Sequence, residues 1–455
     1  MALEWSPVCN HMELILGDSR VYPLCINLVR SVDAQDRDIL ENAYGFMCLQ
    51  FITLAMDIAK IAQNDRLLAF QEEISQLAPG HSIRSIMNNY SRELEGEGIW
   101  TCLPQIGGCG FKDTTFLLEQ LWTKRELFLE AAQVAASIFP GWGGLFILAT
   151  KELSKLCWKY ISEIALRYAM CSEVREDPVV YVTINHQSLR HSLVIPDGFE
   201  PVDDVDAIQV ATCTTRKLNS LSTINDMNLM ASEIVGYASI LLGPLNLELH
   251  VKQLFKAAFR RAWNELSAIH YMNNRRWHSF GVHYDFLIGS LRLLCKYPKC
   301  ALAVRDFAQE WDLYELYAYI LLFPISLLGR DIKATEHLPD DLEFEMGLQV
   351  LALKYSIIDS GTPLDPPDVF LPIWCKISSH ILFRHEVLGD TRESKGCDMV
   401  TMWNGATRIF PYEHASMKLT FQCAYARCAA PEAKNPWKCG RCYLVIYFSR
   451  RCQQA

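Results

Sequence analysis

The sequence predicts a mainly α-helical protein, and three observations carry that reading. Apolar residues recur at alternating spacings of three and four over long stretches of the first 400 positions, the period of one face of a helix. Proline and glycine punctuate those stretches at helical lengths, and the helical period fails in one long stretch, about Ser172 to Ser220, which holds the β-branched "PVVYVTI". A chain of 455 residues with 50% hydrophobic and 21% charged content has the composition of packed globular protein and room for two or three domains.

The first strong helix is "DILENAYGFMCLQFITLAMDIAKIA". There Leu40, Tyr44, Met47, Phe51, Leu54, Ile58 and Ile61 form one apolar stripe, and Asp36 and Asp38 sit where the helix dipole favours negative charge. A second helix is expected from a cap at Thr114 and Thr115 through "FLLEQLWTKRELFLEAAQVAASIF" to Pro140 and Gly141. A third covers "LFILATKELSKLCWKYISEIALRYAM". From about Ser172 to Ser220 the period fails, with turn residues and the acidic "FEPVDDVDA", which reads as a connection. Helical pattern returns in "INDMNLMASEIVGYASILLG" and "HVKQLFKAAFRRAWNELSAIHYM". Shorter helices follow in "YDFLIGSLRLLCKY", "KCALAVRDFAQEW" and "LYELYAYILLF", set off by Pro298 and Pro324. "TPLDPPDVF" breaks the chain before "LPIWCKISSHILFRHEVL" and "CDMVTMWNGATRIF".

The expected organisation is a helical region over 1–171, a connecting segment over 172–219, a second helical region over 220–410 and a separate module over 423–455. Helix pairs joined by tight turns are how HEAT and armadillo-like solenoids are built. No residue pattern repeats at a fixed period of ~40, so solenoid and irregular bundle both stay open.

Composition narrows the function classes. A net charge of -9 leaves no whole-chain electrostatic footprint for nucleic acid, and no nucleic-acid partner is expected. The N-terminal residues lack a basic segment, apolar core and cleavage site in succession, so the protein is read as intracellular, nuclear or cytoplasmic. The longest apolar run, Leu313 to Gly329, is interrupted by Glu315 and Pro324 and falls short of the roughly 20 residues of a membrane span. No membrane partner is expected.

In a reducing compartment the 17 cysteines should divide into buried thiols and metal ligands. Twelve are spread over the first 400 residues and five crowd into the last 33. The tail reads "CAYARCAAPEAKNPWKCGRCYLVIYFSRRC". Cys439 and Cys442 have the CxxC spacing that supplies half of a tetrahedral zinc site through one tight turn, and Cys423 and Cys428 form a slightly wider pair. Six basic residues, Arg427, Lys434, Lys438, Arg441, Arg450 and Arg451, accompany them against one acidic residue, Glu432. Positive charge lowers thiol pKa values and offsets the charge of a thiolate zinc centre.

The pattern C-x4-C-x10-C-x2-C-x4-Y-F-x3-C resembles the MYND-type zinc finger. Cys423, Cys428, Cys439, Cys442, Tyr447 and Cys452 fall on matching positions, and "SRRCQ" is similar to that family's ending. The layout of a long helical region followed by such a finger is also similar to that of fungal proteins. The resemblance covers about the last 33 residues. It implies a non-enzymatic interaction protein, because such fingers bind short peptide motifs of partner proteins and use zinc only structurally. It also implies two interleaved zinc sites, one on the first and third Cys pairs and one on the second pair with a late His and Cys.

Phe448 stands where the third pair should begin, and no His or Cys follows Cys452. Three arrangements are therefore open: one zinc on Cys423, Cys428, Cys439 and Cys442; one on Cys423, Cys428 and Cys452 with water or His414; or no metal. One structural zinc is the expectation. The alternative is a helical scaffold whose finger has lost metal and which binds partners through its body.

Other motifs carry less. "GGCGFKDTT" lacks phosphate-loop spacing and reads as a loop leading into a helix. "NHQSLRHS", with His186 and His191, is similar to the Asn-His stretch of SET methyltransferases, but that domain's other motifs are missing, so surface loop histidines are expected. "RRWHSFGVHYDF" mixes Arg275, Arg276, Trp277, His278 and His283 and reads as a turn between helices. No nucleophile elbow or HExxH helix occurs, and no catalytic residues are assigned.

Overall fold

The computed structural model describes residues 21–33, 39–76, 86, 90, 110–135, 155–171, 201–220, 228–269, 284, 286–310, 313, 316–317, 350, 352–353, 355–357, 359–361, 393–394, 397–398, 401, 403, 437–438 and 446–447. These residues are mainly helical. The helices are α1 (Val21–Asp33), α2 (Ala43–Gln63), α3 (Leu67–Ser75), α4 (Phe111–Thr123), α5 (Arg125–Ala135), α6 (Lys155–Cys171), α7 (Asp204–Ser220), α8 (Asn228–Leu245), α9 (Glu248–Ile269) and α10 (Pro298–Glu310). Two short antiparallel ladders pair β1 (Glu393–Ser394) with β2 (Cys397–Asp398), and β3 (Trp437–Lys438) with β4 (Ile446–Tyr447). The chain divides into two compact units, Met1–Lys217 with Asn225–Tyr237, and Leu218–Ile224 with Ala238–Ala455.

In the first unit α2 packs against α1 and α3, and α6 packs against α4 and α5. α2 starts at an Asn42 cap, whose side-chain oxygen accepts from Tyr44 N at 3.0 Å and Gly45 N at 3.2 Å. The buried face of α2 departs from the expected stripe. Tyr44 and Met47 are exposed, whereas Gly45, Leu49 and Ile52 are buried together with Ile61. The helix is apolar on more than one side, so periodicity alone did not select the face. Gly45 selects it, because a Cβ there would lie 2.9 Å from the Ile39 carbonyl oxygen, and only glycine lets that backbone approach. Asp36 and Asp38 lie outside the described residues.

α2 ends in a Schellman motif, with Arg66 N donating to Ile61 O and Asp65 N to Ala62 O while Asp65 takes φ 57°.

The single helix expected from Thr114 is two. α4 begins earlier, at Phe111, and Thr114 is buried inside it with Oγ1 donating to Gly110 O. The chain breaks at Lys124. There the Arg125 guanidinium lies 4.7 Å from the Trp122 ring centre and donates to Trp122 O at 3.2 Å. Inside the span read as a connection, residues 204–220 form α7. Asp203 caps it by accepting from Asp206 N at 2.8 Å, and Ala207, Val210, Ala211 and Leu218 bury its apolar face. The acidic run is thus a cap and first turn, placed where the dipole favours it.

In the second unit α9 packs on α10, with the rings of Phe255 and Phe259 centred 5.9 and 4.7 Å from that of Phe307. α8 ends in a second Schellman motif: Leu247 N donates to Leu242 O, Asn246 N to Gly243 O, and Asn246 takes φ 53°. The Asn246 side chain also accepts from Lys299 N, so one residue closes α8 and helps to open α10, where Pro298 occupies the first turn. Residues 286–294 form a further helical stretch burying Leu287, Ile288, Leu291 and Leu294. Cys397–Asp398, expected to start a helix, instead pairs with Glu393–Ser394. Only Lys395 and Gly396 separate Ser394 from its partner Cys397, the shortest hairpin spacing, and a two-residue connection containing glycine overrides the helical pattern that follows.

Glu265 on α9 makes the stability of its unit depend on pH. It is buried, pairs with Arg261 at 2.7 Å, and burial pushes its carboxyl up to about 7 against the opposing pull of Arg261. A raised carboxyl pKa means that the folded chain holds the proton more tightly than the unfolded chain. The associated stability is complete below the unfolded value and lost as pH rises through 7, a difference of about 3 kcal/mol. Urea unfolding of the second unit is therefore expected to weaken between pH 5 and 8.5, with a smaller change in Glu265→Gln. Equal slopes in both proteins would contradict this.

Candidate metal centre

Cys423, Cys428, Cys439, Cys442 and Cys452 lie outside the described residues, as does His414. The structure describes the backbone that brackets the CxxC pair. Trp437 pairs with Tyr447 and Lys438 with Ile446, antiparallel, so the chain returns on itself across residues 439–445. Cys439 follows directly on the paired Lys438. Strand pairing holds the two ends of this segment about 5 Å apart and so meets part of the ordering cost of a metal loop. Four thiols in two close pairs are the donor set that suits tetrahedral zinc, whereas Phe448 offers no ligand. Among the described residues no group of three or more His, Cys, Asp or Glu side chains is positioned to hold a metal ion. His186, His191 and residues 275–283 also lie outside them, and of "GGCGFKDTT" only Gly110, which caps α4, and residues 111–115, which form its first turns and not a loop, are described.

The densest chemistry among the described residues is one that sequence reading missed. α6 is buried at every position from Tyr160 to Met170, yet it carries Glu163 and Arg167 one turn apart. Arg167 Nε donates to Tyr237 Oη at 2.9 Å. Nη1 donates to Asp206 Oδ1 at 2.6 Å and to Arg125 O at 3.2 Å, and Nη2 to Asp206 Oδ2 at 2.8 Å and to Glu163 Oε1 at 3.3 Å. All five guanidinium hydrogens are used. Glu163 in turn accepts from Trp122 Nε1 and from Tyr237 Oη, both at 2.6 Å, and its Oε1 lies 3.0 Å from Arg125 Nε. Two cations and two carboxylates balance.

The electrostatics follow from burial and pairing. Burial works against the Asp206 carboxylate, but the bidentate Arg167 contact holds its pKa below the usual range, helped by Val202 N at 3.1 Å. Burial and the Glu163 carboxylate push the Tyr237 phenol up, so that it donates and does not ionise. Arg167, Glu163 and Tyr237 have at most 1% of their surface exposed. The cluster is buried and ties α4, α5, α6, α7 and the part of α8 up to Tyr237 together within the first unit. Its signal in the sequence was a charge pair at i,i+4 on an otherwise apolar helix, "SEIALRYAM".

No helix among the described residues is long and apolar enough to cross a membrane. Comparison with protein-family models, with curated proteins and with solved structures finds no match to this chain.

Proposed function

We propose that this protein is a non-enzymatic interaction protein whose helical body carries a C-terminal MYND-like zinc finger that binds peptide segments of partner proteins. The observation that carries this reading is the spacing of the five tail cysteines. The β3–β4 ladder supports it by drawing together the ends of the segment that contains Cys439 and Cys442. One zinc held by Cys423, Cys428, Cys439 and Cys442 satisfies four-coordination without Phe448, and Cys452 with Cys423 and Cys428 forms the weaker alternative set. The metal is structural, replacing the core that about 33 residues cannot build.

Zinc content per chain, measured on protein purified without added metal, tests this reading. One zinc in the wild type and none in Cys439→Ser is the expected result, with the variant's tail cut readily by protease while the helical body keeps its thermal transition. No zinc in the wild type overturns it.

A second reading then takes its place, a helical scaffold, solenoid or bundle, that binds through its body. The exposed Leu24 and Leu28, one turn apart on α1, and the exposed Tyr44 and Met47 on α2 favour that reading, since exposed large apolar side chains are what a contact surface would use.

A further inference from the structure

Two pairs of thiols meet within the first unit, and they differ in their surroundings. Cys25 on α1 shares a thiol hydrogen bond with Cys48 on α2, and burial raises both, Cys25 to about 11. Cys171, the last residue of α6, shares one with Cys213 in the middle of α7. That second pair sits one turn beyond Arg167 and two turns beyond Asp206, whose bonds at 2.6 and 2.8 Å hold the two helices side by side. Cys213 is buried at 2% exposure, whereas Cys171 is only partly buried and opens the pair toward solvent. The hydrogen bond from Cys171 holds the Cys213 thiol below its ordinary range, and Arg216 and Arg167 add to this against the effect of burial. Cys171, as the donor, is raised.

We propose that Cys171 and Cys213 are an oxidative modification site, a dithiol that a peroxide converts to a disulfide stapling α6 to α7. The arrangement has the parts such chemistry needs: a thiol that neighbouring cations make more acidic, a second thiol hydrogen-bonded to it, and access from one side. The Cys213 thiolate attacks one oxygen of hydrogen peroxide, and the O–O bond breaks. The departing hydroxide takes the Cys171 proton and leaves as water. The Cys171 thiolate then attacks the sulfur of the Cys213 sulfenic acid and displaces a second hydroxide, which takes a proton from solvent. Two thiols are oxidised to one disulfide, and one peroxide is reduced to two waters. The staple would close a ring across residues 172–212, which includes the "NHQSLRHS" segment and the cap of α7. The Cys25 and Cys48 pair, also joined by a thiol hydrogen bond but with both thiols raised, is an internal control in the same chain.

The experiment exposes the reduced full-length protein to hydrogen peroxide, digests it without reductant and maps the linked peptides by mass spectrometry. The Cys171–Cys213 link is expected to form at least about tenfold faster than the Cys25–Cys48 link. The thermal midpoint of the first unit should rise on the order of 10 °C and return with dithiothreitol. In Cys171→Ser, Cys213 should accumulate as a sulfenic acid labelled by dimedone, while in Cys213→Ser, Cys171 should label far more slowly. Equal rates for the two pairs, or a Cys171–Cys213 pair that stays reduced while other thiols oxidise, would overturn the proposal. The wild-type map decides this even if a variant misfolds.

Discussion

Arg167→Met is expected to destabilise the first unit by about 3–5 kcal/mol, a large share of the roughly 5–15 kcal/mol that an ordinary domain has. The methionine fills much of the volume but takes away five hydrogen bonds. Asp206 then keeps only its backbone contact with Val202 N in a buried site, and Glu163 has Arg125 as its remaining cation. Burying an uncompensated carboxylate is costly, which is why breaking a buried pair differs from replacing it whole. Arg167→Met combined with Asp206→Leu removes charge from both sides and should recover part of the loss. Urea unfolding followed by circular dichroism measures both proteins. A single variant within about 1 kcal/mol of wild type would mean that Arg167 does not hold this network.

Gly243→Ala is the second large effect, and its sign is informative. In a helix, alanine normally gains about 1 kcal/mol over glycine. Here the new Cβ would sit 2.4 Å from Tyr297 Cε2 and 2.7 Å from its Cδ2, inside contact distance, at the end of α8. The ring has limited room to move, because residue 297 immediately precedes α10 and its carbonyl accepts from Ala301 N at 2.7 Å. A net loss of about 1–3 kcal/mol is expected, and Tyr297→Ala in the same chain should return most of it. A stabilised Gly243→Ala variant would show that the ring does not close on the glycine. The coupling between the two substitutions separates this contact from a general weakening of the Schellman motif, which Asn246 holds by its own backbone bonds.

The sequence by itself determined the helical character of this protein and the position of most of its helices, because a period of 3.6 residues and proline or glycine stops are local signals. It also placed the CxxC pair in a short tail segment, where residue spacing alone defines what a metal could meet. Three things it could not decide. The buried face of α2 was set by Gly45 meeting the Ile39 backbone, since a helix apolar on several sides fits more than one orientation. The break at Lys124 sits where Arg125 bonds Trp122 and Glu163, contacts with no signature in helix propensity. And α7 emerged from a stretch of turn residues because Asp206, two residues into the helix, is fixed by an arginine 39 positions earlier in the chain. Each of these depends on groups distant in sequence meeting in a dry interior, where an unpaired charge or a misplaced Cβ costs more than local propensity can return.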